Sequence, residues 1–202
     1  MTSQNWIRKN WIYLIVLTGL VVYTIVSQQD SRAFSRASTI AEVGQGLEEK
    51  GDVQGAIEKY EEAVKIYSKS AYELALLGRG YHKVGNDEKA LQSYEAALKE
   101  SPQHFWVHYL IGQLYRDQRR YNDAIEKFNQ LISMRDNWYH SNKIFDYTQY
   151  QNLAYGELGY CYAKIGQRQK ALEAYQQYLT LNPLARDRKS VEEYIQRLKN
   201  GS

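Results

Sequence analysis

The hydropathy pattern of the chain changes once. From Asn10 to Gln29 twenty residues pass without a charge, and Trp11 to Val26 is nearly all apolar. A bilayer core of roughly 30 Å takes about 20 helical residues, so this run predicts a helix just long enough to span one. Trp6, Trp11 and Tyr13 at one end and Tyr23 towards the other stand where an interfacial aromatic belt belongs. A cleaved signal peptide shares the basic start and apolar middle, but Ser27-Gln28-Gln29-Asp30 is polar and bulky where a cleavage site needs small residues. Arg8 and Lys9 precede the run, and Arg32 and Arg36 follow it. The free amino terminus tips this count towards an N-terminus inside and a domain outside the cytoplasm.

Beyond Asp30 the pattern turns amphipathic. Apolar residues recur at helical spacing, as in Ile40/Val43/Leu47 and Ile57/Tyr60/Val64. These segments come in pairs, and the pairs repeat. The phrase Gly51-Asp52-Val53-Gln54-Gly55-Ala56-Ile57 returns around Ala90, Ala124 and Ala171; the first three alanines are 34 apart, and the fourth follows an insertion of 13 residues. Each alanine has an aromatic four residues on: Tyr60, Tyr94, Phe128 and Tyr175. Upstream stand Gly44, Gly78, Gly112 and Gly159, each followed three residues later by Leu47, Tyr81, Tyr115 or Tyr162. A glycine inside a helix costs about 1 kcal/mol relative to alanine, so a repeated one implies close helix packing. One such hairpin cannot bury its own apolar face, whereas stacked copies bury a continuous core. The tyrosines Tyr60, Tyr81, Tyr94, Tyr115, Tyr162 and Tyr175 are accordingly expected in the core.

The pattern resembles the tetratricopeptide (TPR) repeat family. Leu74, Leu77, Gly78, Tyr81, Gly85, Ala90, Tyr94, Ala97 and Pro102 of the second unit follow the family pattern nearly throughout. The other units depart from it at Ser68, at Leu131 and Asp136, and at Tyr178. The expected fold is all-α: an N-terminal transmembrane helix, then an α-α superhelix of four TPR units and a C-terminal capping helix. Residues 1–29 are assigned to the anchor, 30–36 to a linker and 37–185 to the repeat domain. Its units are 37–70, 71–104, 105–138 and 152–185, with an insertion at 139–151; residues 186–202 hold the capping helix and tail. The insertion reads as a lengthened turn or an extension of the next helix, or else as a binding loop, since it carries four aromatics.

Composition narrows the function. Lys and Arg number 26 against 23 Asp and Glu, a net +3 too balanced to suggest nucleic acid. One cysteine excludes a disulfide framework or a Cys-based zinc site. No Gly-rich phosphate loop, HExxH, Gly-x-Ser-x-Gly or Cys-x-x-Cys occurs. His104 and His108 lie four apart without a clustered carboxylate, and Cys161 adjoins Tyr162 as a small core hydrophobe. The sequence predicts neither an enzyme nor a cofactor or metal.

Binding remains. The resemblance implies that first helices of successive units line a concave groove. At the matching places the second unit offers Tyr72, Arg79, His82 and Lys83, the third Trp106, Tyr109, Gln113 and Arg116, and the fourth Tyr160 and Lys164. The first unit has Gln45, Glu48 and Glu49 there. Some family members clamp a chaperone's terminal carboxylate with Lys and Asn in the first unit; Ala41 and Gln45 stand at those places and argue against that subclass. Rings supply contact area and Arg or Lys takes carboxylates, so the expected partner is a protein or an acidic or C-terminal peptide. Single-span proteins of this kind resemble membrane-tethered scaffolds and assembly factors for cytochrome maturation, photosystem assembly or translocon support. The alternative is a permanent structural subunit of a membrane complex.

Overall fold

A computed structural model describes residues 3–134 and 147–200, except the side chains of 3–9, 12, 14, 147 and 148. Nine helices and no strand occur among the described residues: α1 (Ser3–Glu49), α2 (Val53–Ile66), α3 (Ala71–Lys83), α4 (Asp87–Glu100), α5 (Phe105–Asp117), α6 (Tyr121–Ser133), α7 (Tyr147–Lys164), α8 (Arg168–Leu181) and α9 (Arg188–Asn200). The end of α1 pairs with α2, and α3/α4, α5/α6 and α7/α8 form the next hairpins, stacked in sequence order.

The repeated glycines and aromatics meet face to face. A Cβ on Gly44 would lie 2.6 Å from the Tyr60 ring, and one on Gly78, Gly112 or Gly159 would lie 2.5 Å from Tyr94, Phe128 or Tyr175. Each ring therefore packs directly against the backbone of the partner helix, and Tyr60, Tyr94 and Phe128 are fully buried. Ala56, Ala90, Ala124 and Ala171 are buried beside them. Tyr178, where small residues are usual, packs beside Gly156, where a Cβ would stand in ordinary contact at 3.4 Å.

Three tyrosines expected in the core are only half-buried. Tyr81 touches both the first and second core clusters and Tyr115 both the second and third, so they stand on the seams between units. A cation from the following helix or its cap covers each ring: Lys89 over Tyr81 at 5.1 Å, Arg120 over Tyr115 at 4.3 Å and Lys170 over Tyr162 at 5.5 Å. At the C-terminal end α9 lays Val191 and Ile195 on Tyr175 and Tyr178.

One boundary differs from the sequence reading. Residues 30–36 are not a break: α1 runs unbroken through them, since Asp30-Ser31-Arg32-Ala33-Phe34-Ser35-Arg36 holds no Gly or Pro to end a helix. The insertion is helical where it is described, as α7 starts at Tyr147, and its residues 139–146 lie outside the described residues.

The first part of α1 stands clear of the solenoid. Ile15, Val16, Leu17, Leu20, Val21, Val22, Ile25 and Val26 are each at least half exposed, on every side of the helix. Among the described residues no helix is long and apolar enough to cross a membrane; Ile12 and Leu14, within the apolar run, have side chains outside the description.

Candidate functional site on the concave face

Most of the groove residues named from the sequence gather into two clusters, each built on a glutamate. In the first, Arg79 of α3 donates to Glu48 of α1 at 2.8 Å, and the Lys83 ammonium lies 2.6 Å from the other carboxylate oxygen. The Tyr60 hydroxyl donates to Glu48 at 2.7 Å. Burial pushes the Glu48 carboxyl up, but hydrogen bonds from Lys83, Tyr60 and Arg79 outweigh it and hold the group below its ordinary value. The Arg79 guanidinium also lies 5.4 Å over the Trp106 ring, on which Tyr72 packs at 5.3 Å. Gln45 donates to the Tyr72 hydroxyl at 2.7 Å.

The second cluster centres on Glu157 of α7. It accepts from the Tyr109 hydroxyl at 3.1 Å, from Gln113 at 3.0 Å and from Arg116 at 2.5 Å. Arg116 holds Asp117 as well, at 2.8 Å, and His82 stands 3.3 Å from Asp117 and so links α3 to α5. Tyr109 packs between Phe128 and Tyr150, at 5.9 and 5.7 Å. An open cavity of about 580 Å³ lies over Glu157 between Tyr109, Tyr160 and Tyr194. Tyr160 and Lys164 join neither glutamate; Lys164 sits 5.2 Å over the Tyr160 ring, which meets Tyr121 edge-on.

This arrangement changes the expected chemistry. Arg79 and Lys83 already share the Glu48 carboxylate and Arg116 is held by Glu157 and Asp117, so an acidic segment would have to compete with carboxylates of this chain. What the groove leaves open is ring surface: Tyr72 is 42% and Tyr160 37% exposed. Two residues escaped the sequence reading, and a third, Tyr150, entered it only as one of the four aromatics of the insertion. Glu157 lies one place off the groove-lining positions and reaches back to the preceding unit. Tyr150 comes from the extra first turn of α7. Glu73 announces itself only as the fourth residue of Ser70-Ala71-Tyr72-Glu73, the spacing of a helix-capping box.

The tetratricopeptide-repeat family models match residues 75–139 and 153–185. Among solved structures the chain is similar to PilF of Pseudomonas aeruginosa, at 20% identity and a TM-score of 0.68, covering 84% of this chain and 68% of that one. It is similar to PilW, a widely conserved type IV pilus biogenesis factor, at 18% identity and a TM-score of 0.62, covering 81% and 78%. It is also similar to MamA of Desulfovibrio magneticus RS-1, at 18% identity and a TM-score of 0.61, covering 81% and 93%. At these identities the likeness is one of fold. No curated protein matches the chain.

Proposed function

From a chain built of tetratricopeptide repeats, we propose a protein-interaction scaffold or assembly factor whose concave face holds a segment of a partner protein, tethered to a membrane by residues 1–29. The observation that carries the docking reading is the row of rings along the first helices, with Tyr72 and Tyr160 exposed beside charges that are already paired. Aromatic rings give a large contact area at small cost in side-chain entropy. PilW, a pilus biogenesis factor, shares the fold and lends the assembly reading some support.

The tether is supported by the apolar side chains of Ile15 to Val26, which no part of the described solenoid covers. An all-round apolar surface of that length has its natural counterpart in lipid. By the count of positive residues the repeats would lie outside the cytoplasm.

One experiment separates these parts. Tagged full-length protein is solubilised from membranes, and co-captured proteins are identified by mass spectrometry. Tyr72→Ser with Tyr160→Ser should cut capture of the chief partner about tenfold, the loss of about 1.4 kcal/mol of binding, with helical content unchanged. Lys59→Glu with Lys127→Glu, away from the groove, should leave it intact. Equal losses in both pairs would remove the groove from the proposal. Extraction of full-length protein by alkaline carbonate would remove the tether.

A further inference from the structure

Where α3 and α5 begin, a cavity of about 330 Å³ opens on the concave side, bounded by α1, α3, α5 and α7. Its walls are the rings of Phe34, Tyr72, Trp106 and Tyr150, and Glu73, His104, Gln103 and three serines line the rest. The rings are held in place. Phe34 meets Tyr67 edge-on at 5.5 Å and Tyr72 tilts onto Trp106 at 5.3 Å. At a liquid share of roughly 30 Å³ per water, the space holds about eleven waters or a side-chain headgroup with its stem.

Glu73 is the unusual member. It is 2% exposed and accepts a hydrogen bond from the Ser70 hydroxyl. The Ser70 side chain caps no backbone N–H of α3, so the bond joins two side chains of the first turn and leaves the carboxyl's charge without a counter-ion. Glu48 and Glu157 each hold an arginine, whereas among the described residues no cation pairs with Glu73. Arg79 reaches this wall, over Trp106 at 5.4 Å, but is engaged by Glu48 at 2.8 Å. Burial pushes the Glu73 carboxyl above its ordinary value.

A desolvated carboxyl among aromatic faces is complementary to a cation: the carboxylate gains a counter-charge, and the rings present their negative faces. The cation needs N–H groups as well, since a buried carboxylate calls for donors and a quaternary ammonium has none. We propose that this cavity receives a lysine or arginine side chain of the partner segment, its ammonium or guanidinium on Glu73 between Tyr72, Trp106, Tyr150 and Phe34. The proposal rests on the reading that the concave face docks a protein segment, and it replaces the acidic partner expected from the sequence with one that carries a positive residue at this end of the groove.

The test uses full-length protein in detergent micelles labelled with 5-fluorotryptophan. The ¹⁹F resonance of Trp106, one of four tryptophans, is assigned with Trp106→Phe. Butylammonium and butylguanidinium are titrated at constant ionic strength beside butanol, tetramethylammonium and phosphorylethanolamine. The two N–H cations should move the Trp106 resonance saturably. Glu73→Gln, whose amide oxygen can still accept from the Ser70 hydroxyl, should weaken both at least tenfold. An equal response to butanol, or undiminished binding in Glu73→Gln, would overturn the proposal. Tighter saturation by tetramethylammonium or phosphorylethanolamine would assign the cavity to a lipid headgroup and overturn it too. The capture experiment supplies the second readout, in which Glu73→Gln should lower partner yield about tenfold. If Glu73→Gln captures normally while the Tyr72/Tyr160 pair does not, the groove reading stands and the cation site falls. If the tyrosine pair captures normally, the groove reading itself fails, whatever the small cations do.

Discussion

At Gly78 even one methyl group has nowhere to go. A Cβ would stand 2.5 Å from Tyr94 and 3.0 Å from the carbonyl oxygen of Ala90, and Tyr94 is fully buried and cannot swing aside. Gly78→Ala should therefore destabilise the domain by about 1–3 kcal/mol, the usual range for overpacking, although alanine is the better helix former. Gly46→Ala is the matched control, because nothing lies within 4 Å of its Cβ position and α1 is helical there. It should raise stability by about 0.5–1 kcal/mol. Chemical denaturation of both variants reads the two signs, and a shared sign would contradict the contact described. This pairing of glycine with ring was legible in the sequence because both partners recur at the same period. The pairing of Arg116 with Glu157 was not, since it joins neighbouring units across the insertion and belongs to no repeat.

Each hairpin turns through a left-handed residue just before its second helix. Gly51, Gly85 and Gly166 have φ of 85°, 77° and 75°, and the third hairpin puts Arg119 there at 60°. For a residue with a Cβ this region costs roughly 1–2 kcal/mol, while glycine adopts it freely. Arg119→Gly should thus stabilise the α5–α6 hairpin by about 1 kcal/mol, after allowing for glycine's greater freedom in the unfolded chain. The thermal midpoint checks it, and a fall would mean that Arg119 makes a compensating contact. Period and turn residues made eight of the helices readable. The extent of the ninth, α1, was not, because a change from apolar to polar residues suggests a boundary that backbone geometry does not respect: a helix ends only where residues stop it. Likewise α7 begins inside the insertion, where the family pattern has no opinion.

Across the whole molecule, the two arginine-paired glutamates act as cross-links. Glu48 ties the first unit to the second, and Glu157 ties the third to the fourth. Both bonds lie on the concave side, so they fix how tightly the units curve towards each other. Reversing Arg79 or Arg116 would set a like charge against Glu48 or Glu157, which would unsettle the solenoid as well as any partner contact. The exposed tyrosines are the cleaner positions at which to ask about binding.

The continuity of α1 gives the groove a phase. A helix advances about 1.5 Å and turns about 100° per residue, so the eleven residues from Val26 to Ala37 hold the first unit roughly 16 Å above the apolar run at one set azimuth. If a bilayer grips that run, a membrane-bound partner meets the groove from one compass direction only. Two alanines inserted after Ser31 would lift the solenoid by about 3 Å but swing it through roughly 200°; seven would lift it by about 10 Å and return it to within about 20° of its starting bearing. Cross-linking in intact membranes should show the partner lost with two and largely kept with seven. Equal yields from the two insertions would mean that this stretch of helix transmits no torque, and that the repeats find their partner by swivelling.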